Sequence, residues 1–170
     1  MGSPTDWRGA IITQAVQAAV AQAIAAIGVV AVNKTQIILQ ASHLLTLHSV
    51  PVVILPASGN GMMYQPLFAT MEYNFASTNF TVGASGSNFF VGPQSYPTVL
   101  NVLQPIPCTL VDGTYGPGNS VAVAPPVNVV LSQKSSFDNQ PLVITHNGGV
   151  ELTSGDGTVI VTLYYISVNC

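Results

Sequence analysis

From Asp6 to Val30 the chain sets one large apolar residue every third or fourth position on a background of alanine and glutamine. The residues are Ile12, Val16, Val20, Ile24 and Ile27, and their spacing predicts a helix with a single apolar stripe. Thr5 or Asp6 can cap it by accepting a free backbone N–H. Alanine, the best helix former, fills the rest, and Gly28 before Val29 and Val30 marks its end. Residues 10–32 carry no charge and are long enough to cross a bilayer. Gln14, Gln17, Gln22 and Thr13 disfavour that. The helix can also pack on its own domain, or bundle with copies of itself. Repeated β-branched core residues favour bundles of more than two strands. The stripe is therefore expected to be a self-association surface, with 1–33 as an attachment or self-association unit.

Near Asn33 the pattern changes. Every proline but Pro4 lies beyond it, with most of the glycines. Short apolar runs separated by turn residues predict strands at Lys34–Ala41, Pro51–Leu55, Met62–Phe75, Asn88–Val91, Thr98–Leu103, Leu142–Thr145, Val150–Thr153 and Thr158–Val168. Ser120–Leu131 contains Pro125-Pro126, so it must be an edge strand or two strands split there. Such punctuation predicts an antiparallel β-sandwich, jelly-roll-like, over 34–170. The last strand alternates Val159, Val161, Leu163 and Tyr165 with Ile160, Tyr164, Ile166 and Val168. It is apolar on both faces and therefore expected to be buried on both. Its second face needs a cover, from the helix or from a neighbouring subunit. Pro51 opens a strand where no ladder N–H is lost, Pro56 closes it, and Gly59 and Gly61 permit a tight return.

Composition sharpens this picture. Only 5% of the 170 residues are charged, with a net charge of −3, against roughly 25% in an ordinary soluble domain. The bases Arg8, Lys34 and Lys134 are scattered, which excludes a phosphate-binding patch and hence nucleic acid as a partner. The chain also lacks the high-charge, low-hydrophobicity signature of disorder. A surface so poor in charge is weakly protected against association, so other copies or other proteins are expected to cover much of it. Cys108 and Cys170 are too few for a disulfide framework and are expected as free thiols, in keeping with a reducing cytoplasm. The start, MGSPTDWRGA, lacks the basic region of a secretory leader.

Candidate chemistry is sparse. His43 and His48 lie five apart, which on one strand puts them on opposite faces; with His146 they could share a metal only if the fold gathers all three. Glu72 is expected on an exposed strand face. Asp112, Asp138 and Asp156 sit beside turn residues, where a carboxylate bonds nearby N–H groups. No acid pair, G-x-S-x-G, CxxC or phosphate loop appears. We therefore expect no catalytic, cofactor-binding or metal residues, and no enzyme. Aromatics cluster between Tyr64 and Tyr96. Core packing explains them first, while Phe89, Phe90 and Tyr96 are candidates for stacking on a host surface.

The run from Thr35 to Phe75 resembles small structural proteins of tailed bacteriophages. The likeness is carried by Leu47-His48-Ser49-Val50-Pro51-Val52, by the turn Pro56-Ala57-Ser58-Gly59-Asn60-Gly61, and by Met71-Glu72-Tyr73-Asn74-Phe75. Asn147-Gly148-Gly149 and Gly155-Asp156-Gly157 look like the closing hairpin of the same proteins. Asn60 and Met62 depart from the small and basic residues usual at that turn. The resemblance implies a jelly-roll-like domain, usually trimeric, in a head decoration (cement) protein or a short fibre. It implies a virion protein assembled in the bacterial cytoplasm, touching copies of itself and the major capsid protein or tail and baseplate proteins. A fibre predicts exposed aromatic loops. A membrane-anchored protein using 10–32 is the third reading.

Overall fold

A computed structural model describes residues 31–83, 86–95, 97–98, 102–114, 118–127 and 136–169. The predicted N-terminal helix, with Ile12, Val16, Val20, Ile24 and Ile27, lies outside them, as do Tyr96 and Cys170. The chain divides into units 1–31 and 32–170; the fold is that of the second.

Among the described residues it has eight strands. They are β1 (Asn33–Leu39), β2 (Val52–Leu55), β3 (Met62–Asn74), β4 (Asn88–Pro93), β5 (Ile106–Pro107), β6 (Ser120–Ala124), β7 (Leu142–His146) and β8 (Thr158–Asn169). One helical turn, α1 (Ala41–Leu44), follows β1, and a 3-10 turn at Cys108–Leu110 follows β5. All pairings are antiparallel, in two four-stranded sheets ordered β1-β8-β3-β6 and β2-β7-β4-β5. First pairs with last, second with seventh, third with sixth and fourth with fifth. That nested order is a long hairpin ribbon wound into two layers, the jelly-roll topology.

The core fills the space between the sheets. Val159, Val161 and Leu163 of β8 are fully buried beside Leu39, Ala69, Met71 and Tyr73. Ile54, Phe89, Val91, Leu142 and Ile144 meet them from the other sheet. Burial stabilises each large side chain by about 1.5–3 kcal/mol. Cys108 is free and buried within this core.

In β3 the face alternation changes parity at Leu67, where a bulge separates Pro66↔Tyr165 from Phe68↔Tyr164. One extra residue flips every later side chain. Pro66 is tolerated because β6 reaches only Ala69–Tyr73, so Pro66 has a single neighbouring strand. β6 is an edge strand that stops before Pro125, the first of the two arrangements its prolines allow.

Several expected elements differ. Thr98–Leu103 contributes, among its described residues, only the bridge Leu103↔Pro126. Val150–Thr153 is reduced to the bridge Thr81↔Thr153. The chain turns immediately afterwards, with Ser154 and Gly155 at φ 60 and 84, so no ladder can extend. The strand expected to reach Ala41 stops at Leu39, and α1 follows. β5 is hidden in the sequence by Pro105 before it and Pro107 within it.

Candidate interaction surface

The two sheets treat their outer faces differently. On β7 and β4 every residue except Asn88 is buried. The outward Thr145 is 3% exposed and donates its hydroxyl to the Leu47 carbonyl at 2.9 Å. The outer face of the β1-β8-β3-β6 sheet is open. Val121 and Val123 of β6 are 66% and 62% exposed, Ile38 of β1 is 53% and Phe68 of β3 is 36%. Between them Ile160, Tyr164, Ile166 and Val168 of β8 are half-buried, so burial on both sides of β8 is not achieved within this unit.

Cross-strand register orders this face in rows. Ile38, Ile160, Glu72 and Val121 form one row; Gln36, Thr162, Thr70 and Val123 the next; Lys34, Tyr164 and Phe68 a third. Phe68 stacks on Tyr164 with centroids 4.4 Å apart, and Lys34 Nζ lies 5.9 Å from the Tyr164 centroid. Gln36 donates to Thr162 Oγ1 at 3.0 Å. Among the described residues neither Lys34 nor Glu72 has an ion-pair partner, and Glu72 is exposed, as expected. A cleft of about 310 Å³ between β5 and β6 is lined by Ile106, Pro107, Leu110, Val121 and neighbouring small residues, with no titratable group.

The turn residues serve structure. Gly59 and Gly61 adopt φ 99 and 74, values favouring glycine. Their N–H groups donate to Asn139 Oδ1 and Asp138 Oδ1 at 2.9 and 2.8 Å. Pro51 precedes β2 and Pro56 follows it, framing the strand. Asp156 accepts from the Ser77 and Thr78 N–H groups, and Asp112 from Thr114. Phe89 and Phe90 are 2% and 8% exposed. Alternation puts Phe89 in the core, and Phe90 on the covered outer face, so neither presents a ring to a host.

The histidines are not gathered as three. His43 Nδ1 accepts the Gln40 N–H at 3.2 Å, within α1's first turn rather than on a strand. His48 instead meets His146, ring centroids 5.4 Å apart. Buried His146 accepts the Gly148 N–H on Nδ1, so its neutral form carries the proton on Nε2, 3.6 Å from Glu151. Burial, and then His48, lowers the His146 pKa against the opposing pull of Glu151. Burial alone would raise the Glu151 carboxyl, but hydrogen bonds from Ser49 and the His48 N–H hold it below the usual range. No group of three metal-capable side chains occurs among the described residues. Glu151, which sequence reasoning passed over, ties the 48–49 loop to the far end of the chain; no local spacing signals that. Burial pushes the Cys108 thiol up to about 12. No helix among the described residues is long and apolar enough to cross a membrane.

No family model and no curated protein matches the chain. Among solved structures it is similar to the cyanophage Pam1 capsid asymmetric unit. Identity there is 16%, 81% of this chain covers 84% of that one, and the TM-score is 0.44. It is also similar to the capsid of Ralstonia phage GP4, at 17% identity, with 82% of this chain covering 84% of that one and a TM-score of 0.40.

Proposed function

We propose that this chain is a non-enzymatic structural protein of a tailed-phage virion, a head decoration protein that assembles as a trimer. The observation that carries this reading is the open apolar face on a jelly-roll sheet, in a chain almost without charge. Permanent interfaces are richer in apolar surface than transient ones, and contacts made by uncharged groups depend little on salt. The motif resemblance between Thr35 and Phe75 supports the virion setting. The mechanism is mechanical: many weak apolar contacts to copies and to the shell add up, and the buried histidine and thiol and the turn carboxylates serve the fold. The short-fibre reading asks for exposed aromatics in 76–119; among the described residues of that segment Phe80, Phe89 and Phe90 are all buried, which favours decoration. Counting copies per purified particle tests it. Hundreds on the head are expected. A few dozen at the tail would favour the fibre, and none would end the virion reading.

A further inference from the structure

The open face carries one cation and one anion, and their placement is not arbitrary. Lys34 on β1 is paired laterally with Tyr164, and Glu72 on β3 with Ile160. Tyr164 and Ile160 flank Thr162 on the central β8 strand, two residues away on either side. Lys34 and Glu72 therefore stand at opposite corners of a parallelogram centred on Thr162. We propose that this face binds the same face of a second copy across a two-fold axis. The axis lies in the interface at Thr162, perpendicular to the line from Lys34 to Glu72. That operation sets each Lys34 over the other copy's Glu72, two ion pairs from two charges that have no ion-pair partner among the described residues.

Symmetry makes such a contact self-complementary. The same rotation brings Phe68 near the copy's Val123. Strands of the two copies cross steeply, as in orthogonal sheet packing. From strand spacing and rise, the face measures about 20 by 27 Å, so two copies bury roughly 1,000 Å² in total, near the lower bound for a specific interface. The contact rests on the self-association proposed above but gives the open face to a two-fold, which leaves any threefold to other surfaces, and it needs only purified protein.

The test uses the full chain and its mass in solution by sedimentation. Lys34→Glu alone and Glu72→Lys alone each create two like-charge pairs and are expected to weaken association about tenfold or more. Mixing the two variants in equal amounts restores opposite charges and is expected to restore the complex, with one of each variant per contact. A three-membered ring cannot alternate two charge types, so equal stoichiometry separates the two-fold from a threefold. The double variant Lys34→Glu/Glu72→Lys should associate like the parent. The species left by either single variant, trimer or monomer, reports separately on the proposed trimer. Unchanged mass in both single variants, or no rescue on mixing, overturns the two-fold; coverage of the face by the chain's own residues or by a different protein gives that result.

Discussion

β7 and β8 are both rich in β-branched and aliphatic residues, yet the two sheets holding them end differently. In the β2-β7-β4-β5 sheet, β4 and β7 are buried on both faces, and the connection through Leu47 bonds directly to β7. In the β1-β8-β3-β6 sheet, one face forms the core and the other leaves valine, isoleucine and phenylalanine in solvent. An apolar strand thus reports that both faces want cover; it does not say whether the chain's own loops supply it. Where they do not, a partner is the natural cover.

Substitutions separate the sheets most sharply. Phe89→Ala removes a fully buried ring between the sheets and is expected to cost about 3–5 kcal/mol in denaturant unfolding. Phe68→Ala on the open face is expected to cost only about 1 kcal/mol, mostly its stacking on Tyr164. Equal losses would mean that the open face is already covered within one chain.

Next in size is the turn that leads into β8. Gly155 has φ 84, and a Cβ there would meet the Phe80 ring at 2.5 Å. Gly155→Ala should lose about 1–3 kcal/mol, read as a lowered melting temperature.

On the covered sheet, acid should act through His146 and Glu151. His146, held below its ordinary 6.5, binds its proton less readily folded than unfolded, so stability falls as pH drops below that value. Glu151 is held below 4.5; its contribution is complete above that pH and is lost as pH falls through its folded value. Both losses run the same way. His146→Asn, which can still accept the Gly148 N–H, should flatten the upper part of the decline in a pH series of denaturant melts.

The smallest effect belongs to the open face. Val123→Thr should change unfolding by no more than about 0.5 kcal/mol while weakening self-association.

Much of the sandwich was legible. Apolar runs set between turn residues located β1, β2, β3, β4, β7 and β8, and Pro125-Pro126 left an edge strand as one of two arrangements. The doubly apolar β8 pointed to the surface that matters, because its excess of apolar residues is a property of sequence. What sequence could not give was long-range. Glu151 holding His48 and Ser49, Asp138 and Asn139 clamping the Gly59–Gly61 turn, and the Lys34–Glu72 diagonal all join segments far apart in the chain. The bulge at Leu67 hid the parity of β3. Phe89 lies in the core, as the first explanation of the aromatic cluster had it, and Phe90 could be nominated because alternation cannot tell a roofed face from an open one.

The central claim is that this sheet face is built to be covered by another protein chain. Sedimentation of the full-length chain over a range of micromolar concentrations, without detergent, tests it most directly. The account predicts a mass above the monomer that falls when Ile160 is replaced by Asp. A mass equal to one chain throughout, unaffected by that change, would contradict it.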